Sequence, residues 1–211
     1  MKKLEEEEKK KKQQSINPDS GIWNLNTARK RHRFDPFLAA RIGMKYHPEK
    51  AADLGCGNGR YCAVFKAYGW SIVHGYEGTP GVISLGIYDD IFQIDLSKRR
   101  WVDIDYDFVM CLEVGEHVPE KYEEFFLDTI TNFSSKDLIM SWAIPGQGGA
   151  GHLNEKPNEY IIGELAKRGF VHNEDGSDEL RKFSSLKWLR NTILVFSREI
   201  DEIIYNGGND V

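Results

Sequence analysis

The chain has 211 residues, 40% hydrophobic and 29% charged, a balance that fits one globular domain with appendages and excludes collagen-like, low-complexity and membrane-embedded chains. No run approaches the ~18 apolar residues a spanning helix needs, and Met1-Lys2-Lys3 leads into charge rather than an apolar signal core, which points to the cytosol. Net charge is −5, but residues 1–12 hold six Lys against four Glu, so the remainder stands at −7 and is poorly suited to broad binding of a nucleic-acid backbone, outside a local groove or the basic run at 28–33.

Residues 1–14 are charged blocks with almost nothing to bury and read as a solvated tail. Residues 15–49 read as an N-terminal lid or adapter. Turn formers (Asn17-Pro18-Asp19-Ser20-Gly21), an isolated Trp23 and the run Arg29-Lys30-Arg31-His32-Arg33 precede a helix that Asp35 caps and Pro36 opens. From residue 50 short β-like runs alternate with helical stretches, the signature of βα units and a largely parallel sheet. Strands are expected at 50–54, 71–76, 91–94, 106–111, 138–142 and 192–197, with a short one at 171–174 paired with the last. Helices are expected at 60–68, 119–132, 159–168 and 178–189, and residues 204–211 read as a frayed end after a domain spanning 50–203. Cys56, Cys62 and Cys111 cannot all pair and lack CxxC spacing, as expected of reduced thiols.

The most informative segment is Asp53-Leu54-Gly55-Cys56-Gly57-Asn58-Gly59-Arg60, an apolar strand that ends on an acid and a glycine-dense turn before a helix. Such glycines let a ligand approach the main chain closely. A dinucleotide site would want G-x-G-x-x-G, and Arg60 stands where the third glycine should be. Eighteen residues beyond Gly59, Glu77-Gly78 ends the second expected strand, where a carboxylate can accept both hydroxyls of a ribose. Asp95-Leu96 follows the third, as either a second cofactor acid or an ordinary turn former. The fourth runs through Leu112 into Glu113-Val114-Gly115-Glu116-His117, two carboxylates and an imidazole that are costly to bury unpaired and should face a cleft. After the fifth, a glycine-rich loop carries His152, either toward a reacting centre or merely as part of a mobile connector.

This ordered set resembles the class I S-adenosylmethionine-dependent methyltransferases, whose first motif is an acid, an apolar residue and G-x-G-x-G. The resemblance implies a Rossmann-like three-layer α/β sandwich, with a mostly parallel seven-stranded sheet and an antiparallel final strand. It implies that S-adenosylmethionine, or its product S-adenosylhomocysteine, lies on Asp53, Gly55, Cys56, Gly57 and Gly59. Its ribose would rest on Glu77 and Gly78, its adenine near Asp95 and Leu96, and the wall would be completed by Leu112 and Glu113. His117, His152 and Glu116 are the expected catalytic residues. The E-x-x-E-H turn is similar to that of quinone-precursor O-methyltransferases and, with His152, to that of the small-RNA 3′-end 2′-O-methyltransferases. On that likeness Glu113, Glu116, His117 and His152 would hold Mg²⁺ or Mn²⁺, although the turn also shapes pockets in metal-free members. The expected acceptor is an oxygen of a small molecule, with RNA as the alternative. A nicotinamide oxidoreductase and a non-catalytic cofactor-binding partner subunit are the competing classes.

Overall fold

The computed structural model describes residues 16–100 and 104–199, so the expected charged tail and frayed end lie outside the described residues. In chain order the elements are α1 (Leu25–Arg31), α2 (Pro36–Lys45), β1 (Lys50–Leu54), α3 (Arg60–Ala67), β2 (Ile72–Glu77), β3 (Ile91–Gln93), β4 (Tyr106–Leu112), α4 (Glu123–Phe133), β5 (Ser134–Ser141), α5 (Asn158–Ala166), β6 (Phe170–His172), α6 (Glu174–Phe183), α7 (Leu189–Thr192) and β7 (Leu194–Arg198). The seven strands form one sheet in the order β3-β2-β1-β4-β5-β7-β6. β1 to β5 run parallel, and β7 lies between β5 and β6, antiparallel to both. This is the expected Rossmann-like architecture.

Period-two alternation puts both faces of the central strands to work. In β4, Val109 and Cys111 join the cluster built with Phe126, Ile130 and Leu165 of α4 and α5. Phe108 and Met110 point the other way, into the cluster of Leu38, Ile42, Phe65 and Leu180 from α2, α3 and α6. A sheet apolar on both faces needs helices on both, and this leaves the strands' carboxyl ends as the open edge.

Four expectations need correction. α1 falls in the segment read as turns and a basic run; Asn24 caps it, its side chain accepting from Thr27 N–H at 2.8 Å. β5 begins at Ser134, four residues before the expected start. The expected strand at 171–174 is Phe170–His172, because Asn173 already caps α6. The expected helix at 178–189 is two helices, α6 and α7, separated by residues 184–188. The break has a cause far away in sequence. The buried Asp35 carboxylate accepts from Ser184 Oγ–H (2.7 Å), Ser185 N–H (2.7 Å) and Leu186 N–H (3.2 Å), donors that a continuous helix would direct elsewhere. Its other oxygen caps α2 through Phe37 and Leu38 N–H, both at 3.1 Å.

Candidate active site

The carboxyl ends of β1, β2 and β4, residues 20–34, the 144–152 loop and the 186–191 turn enclose a cavity of about 740 Å³. Its floor is the glycine loop. Gly55, Gly57 and Gly59 all have positive φ, and at Gly57 (φ +58°) a Cβ would lie 2.7 Å from Nδ1 of His32. Only glycine leaves room there for both the backbone turn and the imidazole above it. Gly59 caps α3 with its backbone facing Tyr88.

Three acids of the cofactor set take up different positions. Asp53 is buried at the end of β1 within 3.8 Å of the Cys62 thiol, and burial pushes its carboxyl up to about 8, helped by the neighbouring Glu77 charge. Glu77 is also buried. One of its oxygens accepts from Gly57 N–H (3.0 Å) and the other from Thr79 N–H (2.9 Å), so it braces the glycine loop while keeping a lone pair on each oxygen. Asp95 is spent within its own turn: Oδ1 accepts from Ser97 N–H (3.0 Å) and Oγ–H (2.5 Å), and Oδ2 pairs with Lys98 at 3.1 Å. The cavity wall beside it consists of Ile94, Leu96 and Ser97. Cys56, Gly78 and Leu112 also line the cavity as expected from the sequence, whereas Gly59 and Asp95 lie outside its lining.

Past β4 the chain turns through Glu113, whose φ of +55° puts a non-glycine residue in the left-handed region. Its amide donates to the Ser141 carbonyl (3.2 Å) and Oγ (2.9 Å). Its carboxylate accepts from Ser141 Oγ–H (2.8 Å), Gln147 Nε2–H (2.8 Å) and Thr192 Oγ1–H (3.3 Å). The other three members of the expected quartet converge. Oε1 of Glu116 lies 4.0 Å from Nε2 of His117 and 3.9 Å from Nε2 of His152. The ligand atoms of the three side chains lie within 4.8 Å of one another.

What surrounds this trio decides its chemistry. Nδ1 of His117 donates to the Gly151 carbonyl (3.0 Å) and Nδ1 of His152 to the Glu155 carboxylate (2.9 Å), which fixes the tautomers and leaves an Nε2 lone pair on each ring. Glu116 is fully buried and neither of its oxygens has a hydrogen-bond partner. Burial, then repulsion from Glu113, drives its pKa far above the usual carboxylate range. Burial likewise lowers His117 to about 4. An acid forced toward neutrality beside two imidazoles can be neutralised by a proton or by a bound cation.

Sequence reasoning missed two residues. The Trp23 ring stacks on His32 at 5.4 Å between centroids and meets His117 edge to face at 4.9 Å. The lid therefore touches both the glycine loop, through His32, and the imidazole pair. Burial lowers the pKa of His32, opposed by Glu77. A lone tryptophan among turn residues was the available signal, and no spacing motif marked it.

No family model matches the chain. Among curated proteins it is similar to the ubiquinone biosynthesis O-methyltransferase of Rickettsia bellii, 23% identical over 192 residues that cover 85% of this chain and 78% of the relative. Solved structures with a similar fold include the magnesium protoporphyrin IX methyltransferase of Synechocystis PCC 6803 with bound S-adenosylhomocysteine (18% identity, TM-score 0.57, covering 82% of this chain and 83% of that one). The sugar N-methyltransferase of Streptoalloteichus sp. ATCC 53650 aligns at 14% identity with a TM-score of 0.63, covering 82% and 91%. A TehB-like S-adenosylmethionine-dependent methyltransferase of Corynebacterium glutamicum aligns at 17% and 0.58, covering 82% and 93%. No helix among the described residues is long and apolar enough to cross a membrane.

Proposed function

We propose that this chain, by fold a class I S-adenosylmethionine-dependent methyltransferase, moves a methyl group from that cofactor to an oxygen of a small molecule, with a divalent cation held by Glu116, His117 and His152. The observation that carries the reading is the buried Glu116 carboxyl, whose Oε1 lies 4.0 and 3.9 Å from the Nε2 atoms of His117 and His152. A buried carboxylate without partners is a penalty of several kcal/mol unless a cation or proton neutralises it. The donor set of two imidazoles and a carboxylate suits Mg²⁺ or Mn²⁺ less exclusively than an all-oxygen set would, and it admits other first-row ions. A bound cation would lower the pKa of an acceptor hydroxyl and orient it.

The rest of the chemistry belongs to the chain's own groups. S-adenosylmethionine supplies an electrophilic methyl carbon next to a sulfonium. Glu77, and Asp53 once ionised, would give the cofactor end of the cavity the acceptors that an ammonium and ribose hydroxyls want, and the glycine loop brings main-chain groups close. Trp23 and the 144–152 loop limit water around the imidazole pair. If the cation is absent, a neutral imidazole Nε2 is the available base for the hydroxyl proton. Because methyl transfer is a displacement that chiefly needs alignment, positioning by these groups is what the protein contributes.

The test is transfer of labelled methyl from S-adenosylmethionine to small-molecule, RNA and protein fractions of a cell extract. Label in the small-molecule fraction, lost with chelator and regained with Mg²⁺ or Mn²⁺, is the expected result. Full activity in chelator removes the cation, and label confined to RNA or protein removes the small acceptor.

A further inference from the structure

Asp35 knots together three chain segments. Its carboxylate takes the 184–186 donors, its own amide donates to Tyr61 Oη at 3.1 Å, and it ends the lid at residues 33–35. Each of these segments brings a cation to the cavity: Arg33 from the lid, Arg60 from the first turn of α3, and Lys187 from the turn after Leu186. Phe34, next to Arg33 in the chain, packs edge to face on Tyr61 at 5.0 Å with the Arg60 guanidinium 5.9 Å over its ring. Among the described residues, none of the three cations forms an ion pair, and Asp35, the acid that joins their segments, is buried with its oxygens committed to five donors. Some other cations of this chain pair with carboxylates, as Lys45 and Arg41 do with Glu179 and Arg99 with Asp128.

We infer that Arg33, Arg60 and Lys187 form an anion-binding subsite at the cavity mouth, and that the methyl acceptor is a small hydroxylated molecule carrying a carboxylate or phosphate. The inference rests on the proposed methyltransferase reading. Three like charges gathered at one rim, in a protein whose net charge is −5, repel one another until an anion sits among them. Guanidinium groups favour planar, bidentate oxyanions, which a carboxylate and a phosphate share. The deep end of the same cavity is lined by the buried or half-buried carboxyl groups of Asp53, Glu77, Glu113 and Glu116, and the three basic side chains are on its exposed rim. A zwitterionic cofactor would engage one cation at most through its single carboxylate, which leaves charge at the rim for the acceptor. The basic rim would also draw the acceptor in with its anionic group at the mouth and its hydroxyl toward the imidazole pair.

The test uses the full chain saturated with S-adenosylhomocysteine, so that the cofactor's own carboxylate is already in place. Phenyl phosphate and pyrophosphate are titrated by calorimetry against wild type and Arg33→Ala/Lys187→Ala, with affinity for S-adenosylhomocysteine measured on both. The expected result is saturable binding of both anions to the wild type, weakened at least tenfold in the double variant, with affinity for the nucleoside changed less than twofold. No anion binding below 10 mM, or binding equal in the two proteins, overturns the subsite. Loss of the nucleoside in the double variant assigns the cations to the cofactor carboxylate instead and overturns it as well. A single-stranded 20-nucleotide RNA that binds wild type more tightly than either small anion, and loses that affinity in the double variant, overturns the small acceptor. Failure of wild type to bind S-adenosylhomocysteine at all refutes the methyltransferase reading, a separate outcome.

Discussion

Replacing Asp35 by Ala should be among the most damaging single changes away from the cavity floor. The carboxylate has two jobs, one per oxygen. Losing the cap of α2 costs about 1 kcal/mol, the usual loss for a capping Asp replaced by Ala. On the other oxygen, the buried Ser184 hydroxyl would lose its charged acceptor, at about 1.5–3 kcal/mol, and fall back on the Leu186 carbonyl at 3.2 Å, while the Ser185 and Leu186 amides lie close enough to solvent to recover part of their hydrogen bonding. Together these give about 3 kcal/mol, or ~6–12 °C in the melting midpoint for a chain of this length. Asp35→Asn should lose less, because an amide oxygen still caps α2 while its NH₂ meets the three donors at 184–186. The pH dependence has a definite sign. Burial alone would raise the Asp35 pKa, but hydrogen bonds from Ser184, Leu38, Ser185 and Leu186 outweigh it and hold the carboxyl below the usual range. A group whose pKa is lower folded than unfolded stabilises the fold above its unfolded value, ~4, and loses that contribution as pH falls through the folded one. Urea unfolding at pH 7 and at pH 3 measures both effects. A penalty under ~1 kcal/mol at pH 7, or one that does not shrink in acid, would refute the knot as described.

Three further outcomes follow from the cavity. If Asp53, held near 8, must ionise to meet a cofactor ammonium, affinity for S-adenosylhomocysteine should rise toward tenfold per pH unit between pH 6 and 8, with uptake of a proton by the buffer; a flat profile by calorimetry excludes that partner. Glu77→Ala should weaken the same ligand at least fivefold, about 1 kcal/mol, since it removes charged acceptors and frees the Gly57 and Thr79 amides; unchanged affinity takes Glu77 out of the site. Gly57→Ala should weaken binding through both its φ of +58° and its collision with His32, and the loss should be smaller in a His32→Ala background. Equal losses in the two backgrounds would mean that the imidazole does not press on the loop.

The sheet and the glycine loop were legible because local pattern determines them. β1 ends where Asp53 and the glycines say it must, and the alternation of β and α runs orders the strands. What was hidden depends on contacts between distant residues. The break between α6 and α7 is enforced by Asp35, about 150 positions earlier, and the periodicity of 178–189 carries no trace of it. Glu113 and Glu116 were both expected to hold the metal, yet Gln147 and Thr192, 34 and 79 positions on, hydrogen-bond the Glu113 carboxylate, while Glu116 has no such partner. Asp95 could be read two ways, and its contacts to Ser97 and Lys98, within its own next three residues, are those of the turn former. α1 was obscured by Asn and basic residues that also suit a turn, although Asn24 followed by Thr27 was a usable cap signal.

The turn that carries Trp23 over the cavity rests directly on main chain. Gly21 has φ +75°, and a Cβ built there would sit 1.9 Å from the His117 carbonyl oxygen and 2.6 Å from its carbon. Backbone cannot step aside as a flexible side chain can, so even one methyl group would act as a wedge. A bulkier residue at this position would lift the flap as a unit and take the tryptophan with it, loosening its stack on His32 above the glycine loop. Access to the imidazole pair is thus set by the thickness of a single missing atom, which makes residue 21 a dial for how tightly the chamber shuts.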